Sequence, residues 1–239
     1  MDRITRVWVY LAETPLLWLA LTVGVFWVAQ QIYRNARGFA LLNPVLVSII
    51  VLVALLMLTD TPYHDYFDGA QFIHFLLGPA TVALAVPLAG QAAELRRAWL
   101  PIAAALSAGS LTAIVSAMAV GWAVGLTPET LLSMLPKSVT TPIAMGVADE
   151  VGGLPSLTAV LVILTGITGA VIGIPLLRVL GLRDPLAKGF AMGVAAHGIG
   201  TARAFEHSER AGAFSGLGMG LNGALTAVLV PLLVWLLGF

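Results

Sequence analysis

A short polar stretch between two prolines holds the side chains of this chain that are best suited to bind a ligand. One cation and three hydroxyl groups, from Lys137, Ser138, Thr140 and Thr141, lie between Pro136 and Pro142. A helix that begins near Pro142 presents unpaired N–H groups and the positive end of its dipole, with Thr140 and Thr141 as candidate N-caps. Because helix N-termini favour anions, the pattern predicts a site for a small organic anion.

A second polar interruption lies in the apolar, glycine-rich segment around residue 197. It contains His197, Gly198, Gly200, Thr201 and Arg203. Arg203 can bind a carboxylate in a bidentate manner, while Thr201 and the backbone N–H groups can bond to other ligand oxygens. His197 titrates near neutral pH, so we expect it, Glu150 or Glu206 to be the group that carries a coupling proton.

Each of these residues also has a structural explanation that involves no ligand. Lys137 can extend its ammonium group to the membrane interface, and Arg203 can form an ion pair with Glu206 at the rim of the protein. His197 can be a buried, hydrogen-bonded packing residue, and the glycines of 189–200 can permit close helix packing. The sequence leaves these alternatives open.

The composition is that of an integral membrane protein. Hydrophobic residues make up 59% of the 239 residues, charged residues 10%, and the mean hydropathy is +0.97. The net charge is zero and no basic tract occurs, which argues against nucleic-acid binding. Cysteine, the metalloprotease motif and the nucleophile elbow are all absent from the sequence. We therefore expect no enzymatic activity, no cofactor and no metal site.

The hydrophobic pattern predicts an all-α membrane protein with about six to eight transmembrane helices, some of them discontinuous. Simple spans are expected at 15–33, 41–59, 98–124, 154–180 and 211–238, and interrupted spans at 72–89 and 186–203. A short helix should begin at Thr127-Pro128 and end before Pro136, and Pro142 should begin another. The acidic stretch 60–70 is expected to be a loop.

The interruptions occupy similar places in the two halves of the chain. Gly78-Pro79 interrupts one segment and His197-Gly198 interrupts a later one. We therefore expect one domain, 1–239, built from two structural repeats at about 41–125 and 127–239. Matching interruptions of this kind are typical of inverted-repeat transporters, whose binding site lies where the broken helices meet.

Several sequence blocks resemble the signatures of the LrgB/CidB family. The two long blocks are Leu135-Pro136-Lys137-Ser138-Val139-Thr140-Thr141-Pro142-Ile143-Ala144 and His197-Gly198-Ile199-Gly200-Thr201-Ala202-Arg203-Ala204. Shorter matches are Gly152-Gly153, Gly212-Ala213-Phe214-Ser215-Gly216 and Leu41-Leu42-Asn43-Pro44. The resemblance extends from residue 40 to residue 235 and adds Asn43 to the expected ligand contacts.

The resemblance implies two different functions. Bacterial members are described as antiholin-like or holin-like proteins that act with a small LrgA/CidA-type membrane partner on murein hydrolase export and lysis. Other members are similar to carriers of pyruvate in bacteria and of glycolate and glycerate in chloroplasts. We expect a proton-coupled carrier of small monocarboxylates in the bacterial inner membrane, with the lysis regulator as the alternative. The expected partners are the organic anion, the lipid bilayer, an LrgA/CidA-like protein and further copies of the chain.

Overall fold

The computed structural model of the chain is helical and describes residues 15–36, 39, 42–76, 79, 82–83, 89 and 92–238. No strand occurs within these ranges. The helices are α1 (Pro15–Asn35), α2 (Pro44–Leu58), α3 (Tyr63–Phe75), α4 (Ala92–Arg97), α5 (Trp99–Ala123), α6 (Pro128–Met134), α7 (Thr141–Glu150), α8 (Pro155–Val179), α9 (Pro185–His207) and α10 (Glu209–Leu237). The chain divides into two compact units, 1–83 and 84–239.

Four of the described helices are long and apolar enough to cross a membrane. They are α1, α5, α8 and α10, and α2 is a shorter apolar helix. Many large apolar side chains on them face outward, including Trp122 and Val228, as expected for helices surrounded by lipid. The chain is therefore a membrane protein. Half of the interrupted span expected at 72–89, with Gly78 and Pro87 among it, falls outside the described residues.

In the first unit, aromatic side chains hold α1 and α3 together. Trp18 is fully buried and meets Tyr66 edge-on, with ring centroids 5.8 Å apart. Gly69 lies so close to Pro15 that a Cβ there would be 2.1 Å from the Pro15 carbonyl oxygen. The expectation of a loop at 60–70 was wrong, because residues from Tyr63 onward form α3. The acidic residues of this stretch suggested a loop, but its aromatic side chains pack on α1.

In the second unit, α6 and α7 begin beside the prolines that the sequence predicted to begin them. The α6 helix begins at Pro128 behind Thr127, whose hydroxyl accepts the N–H of Thr130, and it ends at Met134. The next helix, α7, begins at Thr141, beside Pro142. The spans predicted at 98–124, 154–180 and 211–238 correspond to α5, α8 and α10.

Candidate functional site

The α6 and α7 helices form a helical hairpin, which we call hairpin 1 (residues 128–150). The backbone N–H of Leu154 donates to the hydroxyl of Ser133 over 2.7 Å, so the chain that follows α7 lies beside α6 again. Val147 of α7 also packs in one cluster with Leu131 and Leu135. Residues 135–140 are therefore the tip of hairpin 1, and they include most of the first predicted site.

The α9 helix is a second hairpin, hairpin 2 (residues 185–207). Helical geometry is lost at Ala196 (φ −132°, ψ 17°) and His197 (φ 42°, ψ −134°). A Cβ on Gly200 would lie 2.6 Å from the Met192 carbonyl oxygen, although eight residues of continuous helix span about 12 Å. The chain therefore reverses at Ala196 and His197. The interruption predicted at His197-Gly198 is confirmed, and it is a reversal of direction.

The two hairpins enter from opposite ends of α8. The first arm of hairpin 1 is bound to the beginning of α8, where the Thr158 hydroxyl donates to the Ser133 carbonyl over 3.0 Å, and the tip residue Val139 packs one turn further along, on Val162. Hairpin 2 packs on the later part of α8, because Met192 lies against Gly173 and clusters with Ile174. The tips of the two hairpins therefore point toward each other.

The same order appears along α10. Near its beginning, Ala211 contacts Gly189 of hairpin 2. Near its end, Val230 and Val234 share a hydrophobic cluster with Leu131 of hairpin 1. The middle of α10 therefore lies between the two tips, and α5, α8 and α10 together form the frame that holds the hairpins.

The two tips meet at a buried polar centre beside Val162 of α8. Val139 of hairpin 1 packs in one cluster with Val162. In hairpin 2, the His197 ring donates from Nε2 to the Val162 carbonyl over 3.0 Å. The amide of Asn222 on α10 donates to the Ser138 carbonyl (3.2 Å) and to the Val194 carbonyl (2.9 Å). Residues from both tips thus share two neighbours, and a site at this point would contact both hairpins.

Lys137 is the charged group at the tip of hairpin 1. It is half-buried, and its ammonium group donates to the Ala113 carbonyl of α5 over 3.3 Å. Among the described residues it forms no ion pair with a carboxylate. The ammonium group therefore retains the capacity to pair with an anion at this tip.

The hydroxyl residues of hairpin 1 surround the beginning of α7. Thr140 occupies the N-cap position, but its side chain does not bond to the first-turn N–H groups. Thr141 is the first helical residue, and both threonines are half-buried, whereas Ser138 is only 7% exposed. Since the Thr140 hydroxyl does not cap the helix, the N-terminus of α7 is available to an anion.

At the tip of hairpin 2, His197 and Thr201 are bound within the protein. The His197 ring lies against Gly166 of α8, in the packing arrangement that the sequence allowed as an alternative. Thr201 donates to the His197 carbonyl over 2.9 Å and pairs with the Ser215 hydroxyl at the same distance. These bonds hold the reversal in place, and a role for His197 in proton coupling stays a prediction.

The two glycines of this tip differ. Gly200 packs against Met192, so its lack of a side chain allows the two arms of hairpin 2 to lie close together. Gly198 is exposed, and the atom nearest to a Cβ placed there would be the Met219 sulfur at 3.9 Å. Only Gly198 therefore leaves room for a ligand beside its backbone.

The remaining predicted residues are Arg203, Glu206 and Glu150 on the hairpin arms, and Asn43 in the first unit. Arg203 forms an ion pair with Glu206 on the returning arm of hairpin 2, as in the alternative drawn from the sequence. Glu150 is exposed at the end of α7, at the base of hairpin 1. Asn43 lies in the first unit, where its side-chain oxygen accepts the N–H groups of Val45 and Leu46 and caps α2. Their proposed contacts with ligand or proton stay predictions.

Sequence reasoning missed Asn222. This side chain is 1% exposed and makes hydrogen bonds to Ser138, Val194, Ser110 and Thr226. The available signal was a single amide in an apolar, glycine-rich stretch, since polar residues inside membrane helices usually have a structural or functional role.

Replacement of His197 tests the backbone reversal. Its φ of 42° lies in a region that glycine tolerates and β-branched residues avoid. His197→Gly and His197→Val both lose the ring contacts, but only valine retains the backbone strain. We expect the valine variant to be less stable than the glycine variant by about 1–3 kcal/mol. The check is thermal unfolding of both proteins in one detergent, and a valine variant as stable as the glycine variant would contradict the reversal.

The fold and the site define an all-helical membrane protein with two opposed hairpins whose tips meet inside a frame of long helices. The chain belongs to the LrgB-like family, which it matches over residues 22–236. It is 37% identical over 218 residues to the uncharacterized protein YxaC of Bacillus subtilis (strain 168), covering 91% of this chain and 94% of the relative.

Other relatives match over a similar length. An uncharacterized protein of Haemophilus influenzae is 34% identical over 223 residues, covering 93% of this chain and 96% of the relative. The antiholin-like protein LrgB of Bacillus cereus (strain B4264) is 29% identical over 225 residues, covering 94% and 98%. No solved structure matches the chain. The antiholin-like names agree better with the lysis-regulator alternative than with the carrier, and none names a substrate.

Proposed function

We propose that this protein is a secondary carrier of small organic anions, and that the anion binds where the two hairpin tips meet. The observation that carries the proposal is the pair of opposed, broken hairpins whose tips share the neighbours Val162 and Asn222. Irregular backbone deep within a membrane protein is tolerated where it is buried or lines a cavity, and broken helices of this kind form the sites of many transporters.

The chemistry of the tips favours a short monocarboxylate, such as pyruvate, glycolate or glycerate. The Lys137 ammonium group and the N-terminus of α7 both attract a carboxylate. The hydroxyls of Thr140 and Thr141 can bond to a keto or hydroxyl oxygen, and the backbone at Gly198 offers an approach from the other tip.

Opposed hairpins also support a mechanism of alternating access. In a bilayer, the two ends of α8 and α10 face opposite sides, so each hairpin separates the tips from one side. Displacement of one hairpin against the frame of α5, α8 and α10 would open the site to that side only. An inward proton gradient is proposed to drive the cycle, with His197, Glu150 or Glu206 carrying the proton.

A second candidate function is regulation of murein hydrolase export and lysis in the bacterial inner membrane. The observation in its favour is the name that several relatives carry, antiholin-like protein LrgB. In this proposal, the chain acts together with an LrgA/CidA-type membrane protein. A lysis regulator needs an exposed surface for its partner and does not require an anion site at the hairpin tips.

The test of the carrier is uptake of labelled pyruvate, glycolate and glycerate into proteoliposomes that contain this chain alone. We expect saturable uptake of at least one acid, accelerated by an inward proton gradient. The controls are protein-free liposomes and proteoliposomes treated with a protonophore. Absence of uptake for all three acids, with folded protein in the vesicles, would contradict a carrier that acts alone. Release of murein hydrolase activity on co-expression with an LrgA/CidA-type protein would then favour the regulator.

A further inference from the structure

One amide group, that of Asn222, connects the tips of both hairpins to α10. Its nitrogen donates one hydrogen bond to the Ser138 carbonyl at the tip of hairpin 1 and one to the Val194 carbonyl of hairpin 2. These two acceptors are 56 residues apart in the sequence, and Asn222 is the described side chain that bonds to both. We infer that Asn222 is the positioning residue that holds the two hairpin tips together.

The Ser138 carbonyl needs an external donor because of the local sequence. In a continuous helix it would accept the N–H of the residue four positions later, and that residue is Pro142, which has no N–H. An unpaired carbonyl in the interior of a membrane protein costs considerable free energy. The Asn222 amide supplies the donor that the proline removes.

The Val194 carbonyl is in a similar position in hairpin 2. Val194 lies in the last turn before the reversal, and its fourth successor, Gly198, lies beyond the two non-helical residues Ala196 and His197. Carbonyls in the last turn of a helix commonly lack an intrahelical partner. The second hydrogen of the Asn222 amide bonds to this carbonyl, so one side chain serves both tips.

The orientation of the amide is set mainly by the Ser110 hydroxyl. Ser110 of α5 donates to the Asn222 side-chain oxygen, and Thr226 donates to the same oxygen over 3.4 Å. The oxygen therefore accepts and the nitrogen donates, and the bonding capacity of the side chain is taken up within the protein. Asn222 thus acts on the tips and is not a ligand contact. Because Asn222 bonds to both tips, both tips should become more accessible when Asn222 is replaced.

This inference does not rest on the proposed transport function, and it can be tested without any substrate. The chain contains no cysteine, so a single introduced cysteine is a specific reporter. We place one reporter at each tip, Thr140→Cys on hairpin 1 and Gly198→Cys on hairpin 2, and measure the rate of maleimide labelling. Asn222→Asp retains the shape of the side chain and loses both amide hydrogens, and Asn222→Ala is the second variant.

We expect Asn222→Asp and Asn222→Ala to raise the labelling rate about tenfold at both reporters, because two buried hydrogen bonds are lost at the tips. Ser110→Ala is a milder variant that frees the amide to rotate, and it should raise both rates by a smaller factor. It provides the test if the Asn222 variants do not fold, which size-exclusion chromatography in detergent would reveal.

Two controls separate this role from general destabilisation. Thr226→Ala removes a buried hydroxyl whose contact with the amide oxygen is long, at 3.4 Å, and it leaves the Ser110 bond and both tip bonds, so labelling should stay within about twofold of the reference. A cysteine reporter in place of Glu150, which is exposed at the base of hairpin 1, should be labelled at the same rate in every variant. The inference would be overturned by an increase at one tip only, by an equal increase with Thr226→Ala, or by unchanged labelling in folded variants.

Discussion

Replacement of Lys137 by methionine is expected to reduce anion uptake about a hundredfold while leaving membrane insertion intact. The ammonium group is the described cation at the tips, and its bond within the protein is to the Ala113 carbonyl, with no carboxylate partner among the residues described. Loss of a charge-assisted contact to a bound carboxylate costs about 1.5–3 kcal/mol, which corresponds to a factor of about 10 to 150 in affinity. Methionine retains most of the side-chain volume, so the tip itself should persist.

The matched control for Lys137 is the other lysine of the chain, Lys188. It is 8% exposed on the first arm of hairpin 2, near the base, at the opposite end of the arm from the reversal. Lys188→Met should retain uptake close to that of the wild type in the same proteoliposome assay. If the Lys137→Met variant takes up anions at the wild-type rate, the Lys137 ammonium group does not bind the anion. Lys137 would then be the interfacial residue that the sequence allowed as an alternative, and the anion site would lie elsewhere.

Replacement of Gly193 by alanine should destabilise the folded protein by about 3 kcal/mol or more. A Cβ at this position would lie 2.0 Å from the Ser215 carbonyl oxygen, and the clash is with backbone that cannot rotate away. The α10 helix would have to move from hairpin 2, which disturbs both the Thr201–Ser215 pair and the Asn222 bonds. Thermal unfolding in detergent measures the effect as a large decrease in Tm.

The control for this prediction is Gly220→Ala on α10. No atom lies within 4 Å of a Cβ at Gly220, and alanine favours a helix over glycine by up to about 1 kcal/mol. The Gly220 variant should therefore unfold at the same temperature as the wild type or slightly above it. Equal Tm values for the Gly193 and Gly220 variants would show that hairpin 2 does not approach α10 as closely as described.

The membrane class, the boundaries of the long apolar helices and the two breaks could be predicted from the sequence alone, whereas α3 was missed. Thr127, Pro128, Pro136 and Pro142 act through local physics, because a cap bonds within one turn and a proline lacks its own N–H. Average hydropathy requires no knowledge of the fold. The sequence also placed Lys137, Ser138 and Thr140 in the first interruption and His197 in the second.

Tertiary structure alone decided how the two breaks are used. The sequence predicted that α9 is interrupted at His197, but its reversal depends on contacts with Val162 and Gly166 of α8. Asn222 was unremarkable as a single amide until α10 placed it between two carbonyls from distant parts of the chain. Helix ends follow from neighbours in sequence, whereas the direction of a chain after a break, and the partners of a buried polar group, follow from packing between remote segments.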